Sequence, residues 1–192
     1  MPSEEILRHK SFLRSFFRHA VRSLSAAKRR QESRAVIRRA GKLPVFQRAR
    51  TVAVTLSRPW EIDTGPFLAL CRKRGKRVVV PVVFPAGRRL RFVDLEPHPV
   101  LRKNVHGILE PAAPSRTVPL KKIDLMVVPG AAFTPQKHRL GSGGGYYDRV
   151  LENFPASKTA GFAFSVQLAP RLPVEPHDRR VGVLVTPRRL FR

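Results

Sequence analysis

Residues Ile123 to Val128 form a short, nearly all-apolar run that opens directly into a glycine-rich segment. A strand that is apolar on both faces needs cover on both faces, and this is the pattern of a central strand in a sheet flanked by helices. Other short runs repeat the theme: Thr51 to Leu56, Arg77 to Val83, Ala160 to Phe164 and Val181 to Val185 read as strands, with Leu90 to Leu95 as an additional one. Between the first two lies Pro66 to Lys73, a helix with proline in its first turn. This alternation predicts an α/β fold built from βαβ units, a three-layer α/β/α sandwich with a mostly parallel central sheet. Val100 to Leu120, rich in proline and basic residues, is expected to be irregular.

The N-terminal segment is helical. Ile6, Leu13, Phe17, Ala20 and Leu24 share one helical face, while Lys10, Arg14, Arg18 and Arg22 form a basic stripe beside it. Ser25 is suited to cap a second helix that runs through Val36 and Ile37 and ends near Gly41. With no internal repeat and no long linker, residues 1–192 read as one domain.

Composition excludes several classes. At 42% hydrophobic residues the chain is not of the disordered type, and a single cysteine, Cys71, rules out a disulfide scaffold within it. No stretch approaches the roughly 18 apolar residues of a spanning helix, and Arg14, Arg18 and Arg22 break every candidate secretory core. An Arg/Ser-rich amphipathic N-terminus suits an organellar leader, but Glu4 and Glu5 argue against one. The cytoplasm is the expected location, with no membrane association and no obligate protein partner in evidence.

The segment 129–148 places Gly141, Gly143, Gly144 and Gly145 within five positions. Glycines there let successive N–H groups converge on phosphoryl oxygens, assisted by a helix beginning near Tyr146, by Arg139 ahead of the loop and by Asp148 beyond it as a metal ligand. The simpler alternative is a tight surface turn. Walker A, dinucleotide-fingerprint and nucleophile-elbow patterns do not fit, because no Gly-Lys-Ser/Thr follows, Tyr146 stands where a glycine is needed and Leu140 precedes Gly141-Ser142.

Val128-Pro129-Gly130-Ala131-Ala132-Phe133 followed by Arg139-Leu140-Gly141-Ser142-Gly143-Gly144-Gly145-Tyr146-Tyr147-Asp148-Arg149 closely resembles the signature of 5-formyltetrahydrofolate cyclo-ligases. Lys10-Ser11-Phe12-Leu13-Arg14, Glu61-Ile62-Asp63-Thr64, Gly107-Ile108-Leu109-Glu110-Pro111 and Leu172-Pro173-Val174-Glu175-Pro176-His177-Asp178 resemble four further segments of the family in order and spacing. Two positions depart from it: Thr134 replaces an acid, and Lys137 replaces a glycine. Thr134 can still turn the chain, whereas Lys137 adopts positive φ less cheaply, so a local rearrangement of the loop or an added phosphate contact is expected.

The resemblance implies an ATP- and magnesium-dependent cyclisation of 5-formyltetrahydrofolate to 5,10-methenyltetrahydrofolate. In it the formyl oxygen is phosphorylated, N10 attacks the activated carbon and phosphate leaves. It also implies the site. Lys10, Arg14, Arg139, Leu140, Gly141, Ser142, Gly143, Gly144, Gly145, Tyr146 and Tyr147 would bind ATP, with Arg139 and Tyr147 catalytic. Glu61, Leu56 and Tyr147 would bind the reduced folate, and Asp148 and Asp178 would hold Mg2+. On charge alone the Lys10/Arg14 stripe reads better as a solvated face, a reading only the family match reverses, and the two tyrosines are equally plain core. Glu110 reads as structural, Asp63 as a helix-start acid, and His177 lacks a second histidine at ligand spacing.

The net charge of +25 exceeds what an ATP site needs. It suits steering of polyglutamylated folates, or binding of nucleic acid as a secondary or alternative role on the same fold, although no nucleic-acid motif is present. A G+C-rich genome, which favours arginine codons, would account for part of the charge without any function.

Overall fold

The computed structural model describes residues 4–84, 89–97, 99–105, 107–113 and 116–192. Helices α1 (Glu4–Arg22) and α2 (Ala26–Ala40) open the chain as the periodicity predicts. The Ser25 hydroxyl accepts a hydrogen bond from the Lys28 N–H at 3.1 Å, satisfying a first-turn donor that the helix leaves without an internal partner. A one-turn helix α3 (Pro44–Arg48) leads into strand β1 (Thr51–Ala53), helix α4 (Gly65–Lys73) and strand β2 (Arg77–Phe84). β1 stops short of Leu56 because the chain leaves the sheet after Val54, and Thr55 gives its carbonyl to the Thr64 hydroxyl instead of to a ladder.

Strands β3 (Arg89–Asp94), β4 (Leu101–Lys103), β5 (Leu109–Pro111) and β6 (Thr117–Val118) follow. The stretch expected to be irregular therefore carries a hairpin, β4–β5, and a short edge strand. Its turn has a local cause: Asn104 accepts from the Ile108 N–H through its side chain and from the Gly107 N–H through its carbonyl, and Gly107 takes a φ of 69°. His106, Pro114 and Ser115 of that stretch lie outside the described residues.

The remaining elements are β7 (Leu125–Val128), β8 (Ala132–Phe133), β9 (Arg139–Leu140), α5 (Tyr146–Glu152), β10 (Thr159–Phe162), β11 (Val183–Val185) and β12 (Leu190–Phe191). The main sheet has the order β12-β11-β10-β7-β1-β2-β3-β6. β11, β10, β7, β1 and β2 are parallel, and β12, β3 and β6 join antiparallel at the edges, so the sheet is mostly parallel as expected.

Both faces of the central strands are covered. Val52 and Val54 join a core with Val36, Phe46 and Phe67 from α2, α3 and α4, whereas Ala53 between them joins a second core with Val150 and Leu151 of α5. Along β7 the same alternation puts Leu125 and Val127 in the first core and Met126 and Val128 in the second. A strand whose alternate residues feed two cores must be apolar throughout, which is the reason for the continuous run at 125–128.

β1 and β7 are neighbours, but the chain runs from β1 toward β2 and β3 on one side and from β7 toward β10 and β11 on the other. Diverging connections open a crevice at the carboxyl ends of these two strands, the place where parallel sheets take ligands.

Lys137 lies between β8 and β9 at a φ of 69° and is the sole non-glycine residue with positive φ among those described. The turn holds it there: its N–H donates to the Thr134 carbonyl at 2.8 Å, its carbonyl accepts from Val181 at 3.1 Å, and the Thr134 hydroxyl accepts from the His138 N–H at 3.2 Å. The loop therefore keeps a left-handed position with a lysine in it, at the cost of steric strain. Lys137→Gly is expected to stabilise the fold by about 1 kcal/mol, seen as a higher denaturation midpoint. An unchanged or lower midpoint would show that the strain is absent or offset.

Candidate active site

A cavity of about 370 Å³ fills the crevice at the carboxyl ends of β1 and β7. Thr55 and Pro129 follow these two strands at its base, Arg58 and Glu61 come from the β1–α4 connection, and the glycine loop with Tyr146 and Tyr147 forms the other wall.

Arg139 is the best-placed cation. It is 7% exposed, donates through one Nη to the Pro129 carbonyl at 3.2 Å, and through the other to Asp148 Oδ1 at 2.5 Å. Its Nε is buried with no hydrogen-bond partner among the described residues. A buried donor without an acceptor is costly. Gly141 is required beside it, because a Cβ there would approach Arg139 Nη1 to 2.6 Å.

The loop that follows is open to a ligand. Ser142, Gly143, Gly144 and Gly145 donate no backbone hydrogen bond to any described residue. Gly145, at a φ of 65°, turns the chain into α5. At seven residues α5 is short, so the loop donors and nearby arginines outweigh its dipole as the source of positive potential. Arg14 reaches the loop from α1 and donates from Nε to the Gly141 carbonyl at 2.9 Å. Burial lowers its basicity, while Asp178, Glu175 and Asp148 act in the opposite direction, so Arg14 sits among all three carboxylates.

Lys10 is far from a solvated stripe: it is 3% exposed, with Nζ 2.5 Å from both Glu175 Oε2 and Asp178 Oδ2. Asp178 Oδ2 also accepts from the Glu175 N–H at 2.8 Å. Glu175, His177 and Asp178 bring donor atoms within 4.8 Å of one another, but the Lys10 ammonium already pairs with both acids.

Asp148 offers a better fit for a divalent ion. Arg139 engages Oδ1 alone, and Asp148 and Glu152, one helical turn apart, line a second cavity of about 410 Å³ together with Gly143 to Gly145 and His177. One or two carboxylates beside a phosphate cradle are the donor set that Mg2+ accepts.

Tyr147 combines core and site. It packs against the second core, its hydroxyl shares a 2.6 Å hydrogen bond with that of Thr55, and it lines the cavity. Burial pushes its phenol up to about 12, partly offset by Thr55 and Arg139. The Cys71 thiol, buried in α4, is likewise pushed up to about 12 by burial. The unfolded chain gives up these two protons near 9 and 10, the folded chain only near 12. Between those values the folded state binds more protons, so stability falls as pH rises from about 9 to 12. In Cys71→Ala, denaturation at pH 8 and pH 10.5 is expected to show a smaller decline than in the parent; an equal decline would remove Cys71 as its source.

Glu61 lies at the junction of several cavities but is already engaged: Oε2 accepts from the Arg58 N–H at 2.9 Å, and Oε1 accepts from Arg58 Nε and Nη2 at 3.0 and 2.7 Å. Leu56 is half-buried against the first core and does not line the cavity. Asp63 accepts from the Gly65 N–H as a helix-start acid, and buried Glu110 accepts from Val83 and Asn104, a structural role. Three contributors went unassigned in the sequence: Thr55, Arg58 and Glu175. Glu175 stood within a quoted motif, and Arg58 three residues before Glu61 in a turn was the available signal for that pair.

The chain matches the 5-formyltetrahydrofolate cyclo-ligase family over residues 6–187. It is 40% identical over 152 residues to the 5-formyltetrahydrofolate cyclo-ligase of Escherichia coli K12, covering 77% of this chain and 84% of that one. It is 31% identical over 170 residues to the Haemophilus influenzae cyclo-ligase, covering 86% and 91%. Among solved structures, the 5,10-methenyltetrahydrofolate synthetase of Aquifex aeolicus aligns with a TM-score of 0.82 at 33% identity, over 95% of this chain and 92% of that one. The family match over nearly the whole chain, the identity to curated relatives and the shared fold show that the chain belongs to the 5-formyltetrahydrofolate cyclo-ligase family of enzymes.

Proposed function

We propose that the chain converts 5-formyltetrahydrofolate and ATP to 5,10-methenyltetrahydrofolate, ADP and phosphate, with Mg2+. The observation that carries the ATP reading is the buried, part-unsatisfied guanidinium of Arg139 beside a run of free loop N–H groups at the sheet's switch point. Lys10, Arg14 and the loop 140–146 bind the triphosphate. Arg139 and Tyr147 stand where the formyl oxygen meets the terminal phosphoryl group. Arg139 stabilises charge on the phosphoryl oxygens in transit, the principal task in a reaction that needs no protein nucleophile. Tyr147 stays protonated throughout the physiological range, so with Thr55 it offers a neutral hydroxyl donor rather than a base. N10 of the folate then displaces phosphate from the activated carbon, and the enclosing tyrosines and Pro129 restrict water.

Glu61 accepts two hydrogen bonds from the amino-pyrimidine edge of the pterin, a ligand fork that takes the place of the Arg58 fork it now holds. Leu56 backs that loop from the core side. Asp148, and Asp178 once phosphate engages Lys10, are the carboxylates for Mg2+, which when bound neutralises charge on the phosphates. The substrate's glutamate tail, single or multiple, meets Arg29 and Lys103 in a cavity of about 600 Å³ that also touches Glu61.

The test is a spectrophotometric assay with purified protein, 5-formyltetrahydrofolate, ATP and Mg2+, following the methenyl chromophore. Product should form only with ATP present. A folded protein that binds ATP and forms none would overturn the reading.

A further inference from the structure

Helix α2 carries Lys28, Arg29, Arg30, Arg34, Arg38 and Arg39 against one acid, Glu32. That acid is buried and engaged: Oε2 accepts from the Ser165 N–H at 2.8 Å and Oε1 lies 3.6 Å from Lys28 Nζ. Arg30, Arg34 and Arg38 follow at four-residue steps, exposed and side by side, an arrangement that destabilises a helix unless an anion lies across it. Among the described residues, the side chains of these three and of Arg188 form no ion pair and no hydrogen bond.

A second element closes the groove. The turn after β11 is fixed by the Thr186 hydroxyl, which accepts from the Arg189 N–H at 3.1 Å and donates to the Arg189 carbonyl at 2.8 Å. Arg39 Nε pins it to α2 through the Pro187 carbonyl at 3.0 Å. Arg188 thus joins Arg30, Arg34 and Arg38 around one cavity of about 480 Å³. It shares no lining residue with the catalytic cavity or with the one behind the glycine loop, and Arg30 alone with the cavity given to the glutamate tail.

We propose that this groove binds the sugar–phosphate backbone of single-stranded nucleic acid, without reading sequence, as a function additional to catalysis. Arginines presented by a helix face and a hydrogen-bonded turn supply forked phosphate contacts. Among the described residues no aromatic side chain lines the groove, so bases have no stacking platform there and recognition is confined to phosphates.

The experiment is fluorescence anisotropy with a labelled mixed-sequence RNA of about 20 nucleotides, titrated at salt concentrations from about 50 to 200 mM. Two triple variants of equal net charge are compared. Arg34→Ala/Arg38→Ala/Arg188→Ala removes groove cations. Lys73→Ala/Lys121→Ala/Lys122→Ala removes exposed cations that precede β2 and β7, at the opposite end of the parallel strands. The groove variant should bind at least tenfold more weakly, with the slope of log affinity against log salt reduced by about 2, and the control should change by less than threefold. Cyclo-ligase turnover and the melting temperature should be retained in both, which separates this result from loss of fold or of catalysis. Equal weakening in the two variants would mean diffuse charge and overturn the proposal. So would undiminished binding by the groove variant, or groove-dependent binding to phosphatidylserine vesicles that exceeds binding to RNA.

Discussion

Replacing Arg139 by alanine should lower turnover by about 10³-fold or more, the scale found when a guanidinium that stabilises a transferring phosphoryl group is lost. The side chain is enclosed by Gly130 and Gly141 and fixed by Pro129 and Asp148. Arg139→Lys keeps the charge but loses the fork, and the methylene stem must end in a point charge where two directed donors stood. It should recover little of the loss, leaving activity down by about 10². Asp148→Ala should abolish turnover with the chain still folded but less stable by about 3 kcal/mol, because the buried Arg139 guanidinium loses its carboxylate. Turnover at saturating ATP, read with thermal denaturation, checks all three; an Arg139→Ala enzyme within tenfold of the parent would remove Arg139 from the phosphoryl path, and retained activity in Asp148→Ala would remove that residue from the metal site.

The α/β architecture was legible because central strands feed two cores and so must be apolar on alternate and adjacent positions alike, as Leu125 to Val128 are. Caps were legible too, since Ser25 acts through its own neighbours. The β4–β5 hairpin was not, because its strands are three residues long with mostly exposed side chains, and they lack an apolar periodicity to detect. Among site residues, those in the glycine loop announced themselves by composition, and Glu61, Asp178 and Lys10 by motif. The roles of Glu175 and Thr55 were hidden because each depends on a partner far away in the chain: Lys10 for Glu175, Tyr147 for Thr55. Lys137 shows the converse, since a residue with the wrong intrinsic preference keeps the turn when three hydrogen bonds hold it.

Lys10→Ala should destabilise the fold by about 3 kcal/mol and weaken ATP binding at the same time, and the two effects should prove separable. The ammonium lies between carboxylates whose side chains are only 7% and 16% exposed, so its removal leaves two acids facing each other with little water. Breaking a buried pair from one side costs about 3–5 kcal/mol, and Arg14, within electrostatic reach of both acids, keeps the loss at the low end. Replacing the whole group, as Lys10→Met/Glu175→Gln/Asp178→Asn, leaves no orphaned charge and should restore most of the stability. It cannot restore a cation for the triphosphate, so ATP affinity should stay low. Denaturant midpoints and ATP titrations on the single and triple variants decide between the causes. If the triple is as unstable as the single, packing of the Lys10 stem rather than unpaired charge is what α1 needs. If the triple regains ATP affinity, Lys10 is structural, and Arg14 and Arg139 suffice for the phosphates.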